Sequence, residues 1–171
     1  MKNLLITTER LTIRQLSTRD AAFILEQYNE PDFIENIGDK KIRSIDDAIN
    51  NIVDWAQSSY QKNGIGLLLV ELRDCGTPIG TCGLIKREDI EDLDLGYSLL
   101  EKYQRRGYVM EAAQAVLEHA KNVLALSRVV GYTAALNEAS IRVLGKLGFE
   151  AEGEFNFPGY DRACKIFAIK L

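Results

Sequence analysis

The sequence predicts a mixed α+β fold in which helices cover both faces of one central sheet. Three observations support this prediction. Strand-like and helix-like segments follow one another in the order β-α-α-β-β-β-α-β-α-β-β. Turn residues at 74–77 join two strand-like runs directly, as in a hairpin. A helix-like segment also separates two strands between about residues 92 and 133, the pattern of a right-handed parallel crossover. We therefore expect a mixed, mostly antiparallel sheet of about seven strands.

The N-terminal part of the chain combines a strand with a helix. Residues 11–16 alternate apolar and polar side chains, which predicts a strand. Ser17 or Thr18 is then suited to cap a helix that runs to about Tyr28. Pro31 is expected to interrupt the chain after this helix.

A second helix and a hairpin follow. Ser44 is a suitable N-cap, and the acidic Asp47 stands three positions later, which predicts a helix start. Residues 65–72 and 78–86 are expected to form the two strands of the hairpin, the first of them buried on both sides. The apolar face of the helix is formed by Ile45, Ala48, Ile49, Ile52, Trp55 and Ala56.

The C-terminal half contains the strongest helix pattern. Its apolar stripe consists of Val109, Ala112, Ala113, Val116, Leu117, Ala120, Val123 and Leu124. The predicted elements are a strand at 92–100, a helix at 107–124, a strand at 128–133, a helix at 139–147 that ends at Gly148, and two strands from residue 149 that are broken near Pro158 and Gly159.

Composition and charge exclude several classes of protein. The chain has 171 residues, of which 46% are hydrophobic and 27% charged, and it lacks a linker-like stretch, so we expect one domain over residues 1–171. A net charge of −4 argues against a nucleic-acid partner. The apolar run at residues 4–6 is too short for a signal peptide or a membrane span, so the cytoplasm is the expected location.

The cysteines and the single histidine do not predict a metal site. Cys75, Cys82 and Cys164 have spacings that fit neither a zinc pattern nor a redox pair, so we expect three free thiols. His119 lies off the apolar stripe of its helix and is expected at the surface.

The most informative segment is residues 103–112, which follows a strand and opens a long helix. The first backbone N–H groups of a helix have no intrahelical partner, and their partial positive charge suits a phosphate. Gly107 would let a ligand approach the backbone closely, and Arg105 and Arg106 add positive charge. The same residues also fit an ordinary helix start with two solvated arginines, so the segment alone leaves both interpretations open.

Three blocks of sequence resemble the GNAT superfamily of acetyltransferases. The run Gln104-Arg105-Arg106-Gly107-Tyr108-Val109 resembles its acetyl-CoA signature, Q/R-x-x-G-x-G/A. Residues 137–149 resemble the N-x-x-S…K-x-G-F segment. Residues 8–14 resemble the T-x-R-L-x-L-R start of the branch that contains the ribosomal-protein N-terminal (alanine/serine) acetyltransferases. With Asp94-Leu95-Gly96-Tyr97 before the signature, the resemblance covers nearly the whole chain and implies a GNAT-like fold.

The resemblance implies an N-acetyltransferase that moves an acetyl group from acetyl-CoA, its cosubstrate, to a primary amine. It implies direct attack by the amine, and no nucleophile motif suggests a covalent intermediate. Whether the protein forms a homodimer is left open. The residues implied to contact the cosubstrate are Leu99, Leu100, Gln104, Arg105, Arg106, Gly107, Tyr108, Val109, Asn137, Ser140 and Arg142.

Two residues are implied to act in catalysis. Asp94 occupies a place where related enzymes hold an acidic residue facing the amine, and a carboxylate there could accept the amine proton. Its alternative is a strand-edge aspartate in solvent. Ser140 is a candidate proton donor to the leaving thiolate, with backbone donors and water as the alternative. Asn137 also fits an ordinary helix cap.

Two positions depart from the family pattern. Val109 stands where the signature has a small residue, and Leu144 stands where many GNATs have a tyrosine, which excludes a tyrosine acid at that position. These departures leave open an acetyl-CoA-binding sensor or regulatory module with little catalysis.

The acceptor is the least determined part of the prediction. A protein or peptide N-terminal α-amine is favoured, and a polyamine- or aminoglycoside-like amine is the alternative. Trp55 and Tyr60 could line the acceptor pocket, although core packing is the favoured interpretation of Trp55. The acidic residues Glu88, Asp89, Glu91, Asp92 and Asp94 form either a solvated turn or a surface that attracts a cationic amine.

Overall fold

The computed structural model describes residues 4–88, 90–156 and 163–171. Within these ranges, eight strands form one sheet in the spatial order β1-β2-β3-β4-β5-β6-β8-β7. The strands are β1 (Leu5–Thr7), β2 (Leu11–Gln15), β3 (Leu67–Leu72), β4 (Pro78–Ile85), β5 (Asp94–Leu99), β6 (Arg128–Ala134), β7 (Glu150–Phe155) and β8 (Cys164–Lys170).

Six α-helices occur in the part of the chain that the structure describes. They are α1 (Ala21–Tyr28), α2 (Pro31–Asn36), α3 (Ile45–Asn51), α4 (Ser58–Asn63), α5 (Tyr108–Asn122) and α6 (Glu138–Lys146). A π-helical segment, Ile52–Gln57, joins α3 to α4. None of the helices in the described ranges is long and apolar enough to cross a membrane.

The strand directions confirm the predicted mixed sheet. All neighbouring strands run antiparallel except β5 and β6, which are parallel and are connected by α5. The expected parallel strand-helix-strand connection is therefore present. The parallel pair has only one register pair, Asp94 with Val130, so the two strands separate beyond that point.

Helices cover both faces of the sheet, as predicted. The Gln27 side chain on α1 donates to the Ser98 backbone oxygen at 3.0 Å and to Thr81 Oγ1 at 3.4 Å. Tyr97, which pairs with Cys82 across the sheet, instead contacts Ser140 on α6. Because neighbouring residues of a strand point to opposite faces, α1 and α6 lie on opposite sides of the sheet.

Two details of the N-terminal region differ from the sequence prediction. Pro31 does not only interrupt the chain but begins α2, because the fixed φ of proline and its missing N–H suit the first position of a helix. A further strand, β1, pairs with β2 from Leu5 to Thr7 and raises the number of strands to eight. The predicted break near Pro158 and Gly159 lies outside the described residues.

Three residues that were assigned to apolar helix faces, Ile45, Trp55 and Val123, lie at the surface. Trp55 is 42% exposed, so the interpretation as a core residue is wrong. It lies in the π-helical segment, where the wider turn displaces side chains from the face expected for an α-helix. Val123 is 67% exposed because α5 ends at Asn122, just before the stripe would have continued.

Candidate active site

A cleft opens between β5 and β6 beyond the Asp94–Val130 register pair. The Leu100 N–H donates to the Ile79 oxygen on β4. Since backbone groups of successive strand residues point to opposite sides, those of Tyr97 and Leu99 face the cleft. Within the described ranges, β5 therefore presents an edge without a strand partner along this wall.

The predicted cosubstrate residues Leu99 and Leu100 differ in their backbone contacts. Leu100 has both backbone groups engaged, since its N–H donates to Ile79 and its oxygen accepts from Tyr103 N at 2.9 Å. The Leu99 oxygen accepts from Gln104 Nε2 at 3.2 Å, and its N–H is directed to the cleft. Leu99 is thus the better placed of the two for a backbone contact.

The start of α5 forms a concave group of backbone donors. The first helical bond is from Glu111 N to the Gly107 oxygen, so the N–H groups of residues 108–110 have no acceptor within the helix. Arg105 and Gly107 both have positive φ angles, of 60° and 81°. Alternation of left- and right-handed residues turns successive N–H groups towards one point, which is an arrangement that binds anions.

The N-terminal motif holds this turn in place. Thr8 Oγ1 and Arg10 N donate to Glu111 Oε1 at 2.6 and 2.8 Å, and Arg10 Nε donates to Oε2 at 2.6 Å. Arg10 Nη1 also donates to the Arg106 oxygen at 3.0 Å. Burial raises the pKa of Glu111, but the bonds from Thr8 and Arg10 outweigh it and lower that pKa below its ordinary value.

The other residues of the signature surround this turn. Gln104 is held by Asp32, whose Oδ2 accepts from Nε2 at 2.9 Å. Arg105 and Arg106 are exposed, as the predicted phosphate contacts require. Val109 is half-buried and its side chain packs against the core. The larger side chain at the last signature position therefore points away from the backbone donors.

Asp94 lies at the closed end of the cleft and is only 2% exposed, so the alternative of a solvated strand edge is wrong. Its Oδ2 accepts from Arg87 Nε at 2.8 Å and Nη2 at 2.5 Å. Among the described residues, Oδ1 has no hydrogen bond of standard geometry. Burial raises the pKa of Asp94, and Arg87 and the Tyr132 backbone amide oppose this in part.

The opposite wall of the cleft carries the other predicted residues. Asn137 caps α6, because its Oδ1 accepts from Ser140 N at 3.0 Å. Ser140 Oγ lies 2.8 Å from the Tyr97 hydroxyl. Arg142 is exposed and pairs with Glu138 at 3.1 Å on the outer surface of the helix. Sequence reasoning missed the Tyr97 side chain, although strand alternation places it on the face opposite Asp94.

The predicted acidic surface is partly neutralised. Asp94 pairs with Arg87, and Asp92 pairs with Arg128 at 2.9 Å. Lys86 Nζ donates to the backbone oxygens of Ile90 and Glu91, both at 2.6 Å. Asp89 lies outside the described residues. The remaining negative charge is therefore smaller than the sequence suggests.

A small pocket lies on the same face of the sheet as Asp94. Trp55 forms part of its wall and Ile85 part of its floor, and Ile85 is the register partner of Asp94. Tyr60 does not line it: this residue is buried, its hydroxyl donates to the Leu67 oxygen, and it accepts from Leu16 N at 3.1 Å. The pocket is lined by Trp55, Ala56, Ser59, Gly66, Leu67, Ile85 and Lys86.

Comparisons with known proteins find relatives in sequence and in fold. The uncharacterized N-acetyltransferase YoaA of Bacillus subtilis (strain 168) is 31% identical over 150 residues, which is 87% of this chain and 84% of YoaA. The structure of RimL, a ribosomal L7/L12 α-N-protein acetyltransferase, in complex with coenzyme A has a TM-score of 0.85 at 17% identity, covering 98% of each chain. The ribosomal-protein-S5-alanine acetyltransferase of Vibrio fischeri has a TM-score of 0.81 at 20% identity, covering 98% of this chain and 96% of that one.

The family assignment rests on sequence as well as on fold. A family model described as an acetyltransferase (GNAT) domain matches residues 10–150, which include the N-terminal motif from Arg10, the signature and α6. The match covers most of the chain, and the matched range includes the helix-start donors and the cleft. This protein therefore belongs to the GNAT family of acetyltransferases.

Proposed function

We propose that this acetyltransferase transfers the acetyl group of acetyl-CoA to the N-terminal α-amine of a protein or peptide. The neutral amine attacks the thioester carbonyl directly, without a covalent enzyme intermediate. The two steps that the chain must support are therefore binding of the cosubstrate and removal of a proton from the amine.

The start of α5 supports cosubstrate binding. The N–H groups of Tyr108, Val109 and Met110 are available to a pyrophosphate, Gly107 leaves room for its approach, and the exposed Arg105 and Arg106 add charge. Along the cleft, the unpaired edge of β5 suits an extended amide-containing arm such as pantetheine. Gln104, Leu99, Leu100, Asn137, Ser140 and Arg142 complete the proposed contact set.

The choice of acceptor rests on the surroundings of Asp94, which limit its strength as a base. Burial raises the pKa of its carboxyl, but the two hydrogen bonds from Arg87 oppose this rise and so limit its strength as a base for an ammonium ion. An α-amine has a reference pKa near 7.7–8.0 and lysine about 10.4, so at pH 7 roughly a tenth of the former is neutral but only about 0.04% of the latter. An α-amine therefore needs the least help from such a base.

Two further observations support this acceptor. The pairing of Asp92 with Arg128, in addition to that of Asp94, weakens the surface that would attract a polyamine. The names of RimL and of the Vibrio fischeri structure describe ribosomal proteins as acceptors, and residues 8–14 resemble that branch. In this structure, those residues include Thr8 and Arg10, which hold the start of α5.

The acceptor is tested by comparing kcat/KM for peptides with a free α-amine, peptides with only an ε-amine, and small polyamines from pH 6 to 9. We expect the α-amine peptides to be the best substrates at the lower pH values, where their neutral fraction exceeds that of lysine most. A kcat/KM for small amines about tenfold above that of every α-amine peptide across this pH range would refute the proposal, because small polyamines lack the low pKa that favours an α-amine. Acetyl-CoA binding without turnover of any amine would instead favour a sensor.

A further inference from the structure

Tyr97 connects the two walls of the cleft. Its hydroxyl lies 2.8 Å from Ser140 Oγ and 3.3 Å from the Ser140 backbone oxygen. β5 and β6 have already separated at this level, since their register pair lies earlier on β5, at Asp94. The contact is therefore made across the opening in the sheet and not by packing within a continuous ladder.

Leu144 supplies no hydrogen-bond donor to the cleft, so a donor there must come from another residue. It lies one helical turn beyond Ser140, is 1% exposed, and packs so closely over β6 that a Cβ atom on Gly131 would come within 2.8 Å of its Cδ2. An alkyl side chain cannot donate a hydrogen bond to a leaving group. The phenol of Tyr97 on β5 instead reaches across the cleft to Ser140 in the first turn of α6.

We propose that Tyr97 is a positioning residue for Ser140 in acetyl transfer. Its hydroxyl donates to Ser140 Oγ, which directs the Ser140 hydroxyl hydrogen towards the departing sulfur of CoA. This inference rests on the proposed function. In the step, the amine lone pair forms the C–N bond, the C–S electron pair moves to sulfur, and the amine proton leaves to a base or to water. The hydrogen bond from Ser140 stabilises the thiolate until it takes a proton from water.

The surroundings keep Tyr97 in its donor form. Burial raises the pKa of its phenol well above the ordinary value, the bond with Ser140 opposes this, and Cys82 and Asp94 raise it further. Cys82, its cross-strand neighbour, is itself buried, and burial raises the pKa of that thiol to about 12. Both groups therefore remain protonated at neutral pH.

The first test measures the thiol pKa of CoA bound to the protein, from thiolate absorbance after subtracting the titration of the protein alone. A hydrogen bond to a charged acceptor is expected to lower that pKa by about one unit relative to free CoA. Ser140→Ala should abolish the shift, and Tyr97→Phe, which keeps the ring, should remove about half of it or more. Tyr103→Phe, which removes a phenol from the turn after β5, serves as the matched control.

The second test is kinetic. Tyr97→Phe and Ser140→Ala should each lower kcat about tenfold with little change in KM for acetyl-CoA, and the double variant should lose no more than Ser140→Ala, because Tyr97 acts through Ser140. A wild-type thiol pKa in Tyr97→Phe, or losses that multiply in the double variant, would overturn the inference.

The titration also separates this inference from the proposed function, since it needs no acceptor. If every amine fails as a substrate, the proposed function fails while the thiol pKa still decides the role of Tyr97. A protein that does not bind CoA would overturn both.

Discussion

At the scale of single residues, Gly107 combines an unusual backbone conformation with an open approach. Its φ is 81°, and the only heavy atom within 4 Å of an added Cβ would be Arg10 Nη2, at 3.3 Å, among the described residues. Glycine adopts this conformation without strain, whereas other L residues do so at a cost of about 1–2 kcal/mol. Small ligands can therefore approach the backbone closely here.

Gly107→Glu is expected to abolish acetyl-CoA binding, because it places bulk and a negative charge where the pyrophosphate is proposed to approach. Gly107→Asn is the matched control, since asparagine tolerates positive φ and carries no charge, and it should retain measurable affinity. Titration calorimetry and a melting curve distinguish loss of binding from unfolding. A folded Glu variant with wild-type affinity would place the phosphate site elsewhere.

Asp94 permits a prediction about pH. If it accepts the ammonium proton, log kcat/KM should rise with a slope of about one below its raised pKa, where the carboxyl must first ionise, and should level off between that pKa and the pKa of the amine. Asp94→Asn should lower kcat/KM by about 10²–10⁴-fold and retain a slope of about one throughout. Asp92→Asn, which also breaks a pair with an arginine, is the control and should keep the wild-type profile.

The same substitution has an expected effect on stability. Folding raises the pKa of Asp94, so its ionised form opposes folding at pH values above that pKa, and protonation relieves the opposition as pH falls. Asp94→Asn is therefore expected to maintain or raise Tm at pH 7. If the dependence of kcat/KM on pH is the same in Asp94→Asn as in the wild type, Asp94 is not the base for any acceptor.

At the scale of elements, the β3–β4 hairpin has no space for a side chain at one position. A Cβ on Gly83 would lie 2.2 Å from the Gly66 backbone oxygen, so Gly83→Ala must move the backbone of the neighbouring strand. We expect a loss of about 1–3 kcal/mol in the free energy of unfolding. Gly145→Ala on α6 is the control, because no described atom outside its own stretch of helix lies within 4 Å of an added Cβ, and alanine favours a helix by about 1 kcal/mol. Denaturant melts would contradict this account if both variants changed stability in the same direction.

The elements that sequence predicted well are those with a long periodic pattern. The apolar pattern predicted a helix over residues 107–124, and α5 runs from Tyr108 to Asn122. The Ser44–Asp47 capping box is present as expected. Short elements gave too little pattern: β1 has only three residues. The exposure of Trp55 could not be foreseen, because a change from α- to π-helical winding leaves no simple mark on residue order.

Within the candidate site, the feature that the sequence predicted best is the group of free backbone N–H donors. The free N–H groups at the start of α5 follow from the position of a glycine between a strand and a helix. The pairing of Arg87 with Asp94 depends on how the turn between β4 and β5 returns the chain, and that of Tyr97 with Ser140 depends on the distance between two elements. Neither distance can be obtained from spacing in one sequence.

At the scale of the whole molecule, the sheet consists of two parts. One contains β1 to β5 and the other β6, β8 and β7, and among the described strands they share only the Asp94–Val130 register pair. Helix α5 connects them along the chain and packs against β2, β4 and β5. The residues proposed to bind the cosubstrate lie along the opening between these two parts.

The single register pair between β5 and β6 has a consequence for how the protein responds to the supply of acetyl-CoA in the cell. Among the described residues, the amides of Tyr97 and Leu99 have no strand partner across the opening, so they should exchange their hydrogens with solvent rapidly in the free protein. Acetyl-CoA at about one hundred times its Kd would add about 2.7 kcal/mol of stability and slow that exchange, while the amide of Leu100, already bonded to Ile79, should change little. Mass-spectrometric hydrogen exchange with and without CoA measures this difference. A cell short of acetyl-CoA would then hold a less stable enzyme with an exposed internal strand edge, so that protein abundance would follow cosubstrate supply.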